Sequence, residues 1–369
     1  MLIADEARAT QDRAIRRSDR AANAAMAKWR RVDPAALDQS WAAVSGDIAI
    51  VAASTARANA VGAATLTSKI AVSDDMTGDV LVPDSFTGVD GSGRSLSSLL
   101  DGAITTTKQA IAAGMSIPDA MLTGGTYLAL MVKTSLADVE RSASMTAATG
   151  KGYVRYVRLV NPGACSRCAI LAGADRFRSN FRRHPACRCS TVPVVDATPN
   201  GLFDTPGDYF DSLSTAEQDR VFTKAGAESI RLGADPIKVV NARRGANRAR
   251  MDGAVTFNPS RIQPKVIGRK PDGAPINGYV TTEGSTKRGT YGRSRAGLNG
   301  RTPRLMPESI IDLTDDPEMR RILLRDAGYL ESPIRNLGDN RWISERATQQ
   351  ARDHAAAIDF YRSQGIFVG

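Results

Sequence analysis

All four cysteines of this 369-residue chain, and one of its two histidines, fall within the stretch CSRCAILAGADRFRSNFRRHPACRC between Cys165 and Cys189. No other feature constrains the fold as tightly, because soft ligands gathered in one short stretch ask to be brought together in space. The first pair is C-x-x-C, a spacing that lets two sulfurs converge on a metal from one turn. The second is C-x-C, with a histidine three residues ahead of it. Cys165, Cys168, His184, Cys187 and Cys189 therefore offer five candidates for a tetrahedral ion that needs four. Upstream, KGYVRYVRLV alternates β-branched and aromatic residues and meets Asn161-Pro162-Gly163, which reads as a strand delivered into a turn. Downstream, Ser190-Thr191-Val192 reads as another strand, so the cluster closes a loop between two strands.

Three accounts of the cluster compete. Structural zinc would use Cys165, Cys168 and Cys187 with either Cys189 or His184. Disulfides fit an exported protein, but the opening MLIADEARATQDRAIRRSDR is charged and does not read as a leader. Reduced cysteines in a small core would leave their confinement unexplained. Catalysis by the cluster fits poorly. A catalytic zinc needs an open position and an acid/base carboxylate, and Asp175 is the only carboxylate inside the loop. A cysteine nucleophile paired with His184 would not call for four clustered thiols.

The rest of the chain reads as mainly helical. Aromatic residues make up only 5% and small residues abound, which favours Ala-rich helices. Asp5 to Arg31 lacks Pro and Gly, and Ala14, Ile15, Ala22, Ala25, Met26 and Trp29 form a thin apolar stripe that needs a partner. A second helix follows Asp33-Pro34, with Gly46 and Gly62 as weak points; a third spans Leu96 to Ala113. A fourth opens at Pro118, where Gly124-Gly125 threatens a break. No apolar run approaches the roughly 18 residues that a membrane span needs.

Charge is uneven. Residues 151–270 carry 21 Lys and Arg against 10 Asp and Glu, while the whole chain stands at +10, so nearly all the excess lies in the middle. Arg182, Arg183, Arg188, Arg243, Arg244, Arg248 and Arg250 are candidates to meet DNA phosphates or an acidic protein surface. A solvated basic face is the plain alternative. Protein contact is favoured, because no aromatic interleaving or groove-reading helix accompanies the block.

The order of a strand, Cys165-x-x-Cys168, Leu171, Gly173, a Phe-containing segment and His184-Pro185-Ala186-Cys187-Arg188-Cys189 leading into Val192-Pro193-Val194 resembles the phage Mu F-like minor head proteins. The likeness covers about residues 120–250, including FDSLSTAEQDRVFTKAGAESIRLGADPIKVVNARRG, similar to the segment after the cysteine module in actinobacterial phage members. It implies a head-morphogenesis protein of the virion, associated with the portal or the procapsid interior. Its partners would be portal, major capsid and scaffold proteins, with phage DNA as a further candidate, and it would pass through the host cytoplasm during assembly. Some relatives are described as capsid maturation proteases. That chemistry needs a histidine, and only His184 and His354 exist; His354 reads as solvent-facing on an amphipathic helix, with no G-x-S-x-G elbow. A nucleic-acid-binding zinc protein is a third reading.

The expected architecture is an α-rich, multidomain α+β protein. It comprises a helical region over residues 1–150, a zinc-stabilised Cys/His module with following helices over 151–257, a flexible basic arm over 258–306, and a C-terminal helical unit over 307–369. Ser214 should cap a helix in the second part, and Asp316-Pro317 should open one in the last. The helical ends are expected to complete their burial on a partner.

Overall fold

The computed structural model describes residues 3–70, 81–90, 92–153, 155–161, 163–173, 175–177, 185, 187–194, 205–247, 264–283, 304–330 and 340–366. Two compact units emerge, Met1–Ala164 with Leu171–Thr205, and Pro206–Gly369 with Cys165–Ile170. The chain is mostly helical with small antiparallel sheets, so α-rich α+β describes it.

Three long helices build the first unit: α1 (Ile3–Trp29), α2 (Leu37–Ile70) and, after the short α3 (Leu96–Leu100) and α4 (Gly102–Ala112), α5 (Ile117–Gly150). Ala7, Gln11, Ala14, Ser18, Ala21, Ala25 and Trp29 recur at three- and four-residue steps along α1 and are all buried. Their partners are α2 and α5, which pack on α1 and on each other. The thin stripe of α1 is thus covered within the chain, contrary to the expectation that it waits for another protein. Small side chains let the helices approach closely, so a thin stripe suffices. Helix α2 runs unbroken through Gly46 and Gly62. The expected third helix divides at Asp101, whose carboxylate accepts the Trp41 indole N–H at 2.7 Å.

Gly124-Gly125 does not break α5 either. A Cβ on Gly124 would lie 1.9 Å from Thr107 Oγ1, 2.8 Å from the Ala103 carbonyl and 2.9 Å from the Trp29 ring. Glycine is there for the close approach of α1 and α4. We expect Gly124→Ala to destabilise the protein by about 1–3 kcal/mol, overpacking outweighing the helix-propensity gain of ~1 kcal/mol. A thermal melt reads this; an unchanged or higher midpoint would contradict the close contact.

Beyond α5 the chain forms a three-stranded antiparallel sheet in the order β2-β1-β3, from β1 (Arg155–Leu159), β2 (Asp175–Phe177) and β3 (Ser190–Val194), with the short α6 (Ser166–Ala169) between the first two. Both strands expected around the cysteines are therefore present, and they are neighbours. Tyr153, Tyr156, Leu159 and Val192 share a core with Ala7, Leu66, Ile70 and Ala148 of the long helices. The sheet and the helical region form one unit, rather than parting at residue 150.

The second unit holds α7 (Pro206–Asp211), α8 (Thr215–Phe222), α9 (Lys224–Arg231), α10 (Pro236–Asn247), α11 (Pro307–Leu313), α12 (Pro317–Asp326) and α13 (Asn340–Ser363). Ser214 caps α8 in a reciprocal box with Glu217, and the Asp316 side chain accepts the Glu318 N–H at 3.0 Å to start α12. Phe210 and Phe222 meet edge to face at 5.3 Å between ring centroids, and Ile310, Leu323, Leu324 and Tyr329 are fully buried.

The expected flexible arm is corrected over its described part. Strands β4 (Lys265–Arg269) and β5 (Pro275–Gly278) form a hairpin, and β6 (Val280–Thr281) pairs with β7 (Arg304–Leu305). Glycines that read as breakers serve here as contact points. At Gly268 a Cβ would come within 2.3 Å of the Gly365 carbonyl, and the neighbouring Arg269 N–H donates to that same oxygen at 2.8 Å. Residues 258–263 and 284–303 of the arm lie outside the described residues.

Candidate metal centre

The site starts from the two buried arginines of the first unit, Arg141 on α5 and Arg158 on β1, each 2% exposed. Arg141 reaches the segment leading into β3: its Nη1 donates to the carbonyls of Cys187 at 3.1 Å and Cys189 at 2.9 Å, while Nη2 pairs with Asp138 one turn earlier on α5. From α1, Gln11 Nε2 donates to the carbonyls of Leu159 at 2.9 Å and Arg188 at 3.2 Å. Ser144 Oγ donates to the Thr191 carbonyl at 2.8 Å. Two helices thereby fix the backbone of Cys187-Arg188-Cys189 at three successive carbonyls. Because Arg158 stands in register with Thr191, its guanidinium comes alongside the same segment, and Nη2 donates to Cys187 Sγ at 3.5 Å.

The thiols of Cys168, Cys187 and Cys189 are buried and lie within 4.8 Å of one another, a group that could hold a metal ion. Zinc holds sulfur at about 2.3 Å, which sets tetrahedral sulfurs roughly 3.8 Å apart, so closure on an ion asks for shifts of about an ångström. None of the four cysteines is in a disulfide. One of the expectations changes. Cys189, one of the two alternatives for the fourth ligand, stands in the group, whereas Cys165, favoured as a ligand from its C-x-x-C spacing, is exposed and stands outside it. The physical reason is local: Cys165 is the extended N-cap residue of α6, and only Cys168 lies on the helical turn that follows. His184 lies outside the described residues.

Beside the cysteine segment is a small pocket lined by Gln11, Ser18, Asp19, Lys133, Glu140 and Arg188, among others. Asp19 accepts from Lys133 at 2.9 Å and from both terminal nitrogens of Arg188, at 3.1 and 2.9 Å. Glu140 is buried; desolvation pushes its carboxyl up to about 7 from the ordinary 4.5, against the opposing pull of Arg141 and a hydrogen bond with Ser190. The folded protein therefore keeps a proton that the unfolded chain releases near pH 4.5. Stability from the protonated form is full below that pH and is lost as pH rises through about 7. We expect Glu140→Gln to leave stability nearly unchanged at about pH 4 and to raise it at about pH 8, by at most ~3 kcal/mol. Denaturant titrations at both pH values measure this, and parallel wild-type and variant curves would refute it.

The candidate basic surface is partly used up inside the fold. Arg188 is held by Asp19, and Arg243 is buried on α10, pairing with Glu308 and the Thr223 hydroxyl. An arginine held by a carboxylate reaches a phosphate only by giving up that partner, so Arg243 is not a surface contact. The side chain of Arg244, and all of Arg182, Arg183, Arg248 and Arg250, lie outside the described residues. His354 is also corrected: rather than facing solvent, it is about a third exposed, with Nδ1 2.8 Å from Asp326 Oδ1.

Arg141 and Arg158 were missed as site residues. Arg158 had a weak signal, as one of two arginines in the strand Arg155–Leu159, where apolar residues flank it on both sides; Arg141 had none beyond its i,i+3 spacing from Asp138. No helix among the described residues is long and apolar enough to cross a membrane. No family model, curated protein or solved structure matches this chain.

Proposed function

We propose that this chain is a minor head protein of a tailed bacteriophage, in which a structural zinc ion ties the cysteine loop to the sheet. The observation that carries the reading is the ordered motif of Cys165-x-x-Cys168, Leu171, Gly173 and His184-Pro185-Ala186-Cys187-Arg188-Cys189, set between paired strands β1 and β3. Three of its thiols lie together, as a metal-tied loop requires. Zinc suits the set because thiolates are its common structural ligands and, among the described residues, no carboxylate belongs to the group. The partners under this reading are the portal, major capsid and scaffold proteins, inside the procapsid, with assembly taking place in the host cytoplasm. Phage DNA is a weaker candidate, given the engagement of Arg188 and Arg243 within the fold.

Co-expression with the portal, scaffold and major capsid proteins of the encoding phage tests this. Incorporation of the chain into purified procapsids, lost when the portal is omitted, is the expected result. Procapsids that exclude the chain would refute the reading.

A second reading, capsid maturation protease, draws on the His354–Asp326 pair, since a carboxylate at Nδ1 orients an imidazole for base catalysis. Incubation of wild type and His354→Ala with scaffold and capsid protein separates the two. Cleavage that disappears in the variant supports the protease.

A further inference from the structure

We propose that Arg158 is a positioning residue of the metal centre: it balances the charge of a three-thiolate site through its hydrogen bond to Cys187 Sγ. The proposal rests on the metal reading above and goes beyond it, because it names a non-ligand group on which binding depends.

The argument begins with burial. Arg158 is 2% exposed, and burial away from water strengthens the attraction between a guanidinium and a negative group beside it. Its Nη2 lies 3.5 Å from Cys187 Sγ, within reach for a hydrogen bond to sulfur. A neutral thiol is a weak acceptor; a sulfur bound to a metal is a thiolate and a much better one. The thiols of Cys168, Cys187 and Cys189 together would place three negative charges around a divalent cation. One net negative charge would remain, and one guanidinium cancels it. Sheet register sets the approach, since Arg158 is opposite Thr191, two residues beyond Cys189. Arg141, equally buried, is turned to the carbonyls of Cys187 and Cys189 and holds backbone, so the two arginines divide the work.

The test uses the full chain as wild type, Arg158→Met and Arg158→Lys. Zinc affinity is measured by competition with a chromophoric chelator, and the site is probed by cobalt(II) through its sulfur-to-metal absorption. Arg158→Met is expected to weaken zinc binding by about 10–100-fold, as loss of an outer hydrogen-bond partner does elsewhere. Its cobalt absorption should shift, and Arg158→Lys should restore binding to within about threefold of wild type, because the charge is kept. Far-ultraviolet circular dichroism reports whether each variant folds. Should Arg158→Met fail to fold, Arg158→Lys decides: near-wild-type affinity supports the charge role, and a loss beyond about tenfold overturns it. A folded Arg158→Met with wild-type affinity and an unchanged cobalt spectrum overturns the proposal while leaving the metal centre intact. A wild-type chain that binds neither zinc nor cobalt overturns both.

Discussion

Arg141→Ala is expected to cost the first unit about 3–5 kcal/mol, the range seen when one partner of a buried ion pair is removed. Three groups lose this cation at once: the carbonyls of Cys187 and Cys189, and the Asp138 carboxylate, which is 7% exposed. Against the ~5–15 kcal/mol that ordinarily separates folded from unfolded states, that is a large fraction. Arg141→Lys should fall between, since an ammonium on a flexible stem does not reproduce the planar fork that serves two carbonyls and a carboxylate. Denaturant unfolding followed by circular dichroism gives the numbers. A loss below about 1 kcal/mol for Arg141→Ala would mean that the clamp on the cysteine segment is dispensable.

The second large effect concerns the metal. Protein purified without chelator is expected to carry one zinc ion per chain, and Cys187→Ser to carry almost none, because Cys187 is both a member of the three-thiol group and the sulfur that Arg158 meets. Cys165→Ser is expected to keep its zinc, since Cys165 stands outside that group. Stripping the ion should lower the melting temperature, metal binding at such a site being coupled to folding. Elemental analysis settles the stoichiometry. Wild type with less than about 0.2 zinc per chain and an intact sheet would refute the metal reading.

What the sequence made legible was mostly local. Caps and turn signals located the start of α8 at Ser214 and of α12 at Asp316, because a cap is a bond between residues two or three apart. Alternation in YVRYVRLV found β1, and the cysteine spacing found the loop. What failed depended on residues far away in the chain. Gly124 reads as a helix breaker until Trp29 and Thr107 are seen to occupy the space that a side chain would take. Arg243 reads as surface charge until Glu308, 65 residues later, is found against it. That Cys165 stands outside the thiol group turned on its own backbone, which is extended rather than helical. Spacing alone cannot carry that information. The breaker-rich arm was misread for a related reason, since Gly268 marks a place where another backbone passes and Gly278 one where the Ile267 side chain fills the space.

Gln11 and the carbonyl of Arg188 are separated by 177 positions. A ribosome adding roughly 5–20 residues per second makes the first of these groups about 10–35 s before the second. In that interval α1, α2 and α5 can emerge and pack, and the long helices are then a finished template when the last cysteines leave the exit tunnel. Under the metal reading, ion capture would accordingly be a late event in the life of each copy, taking place on a scaffold already assembled. It follows that a fragment begun after α1 would make every cysteine of the motif and still lack the surface on which Arg188 and its neighbours are laid down.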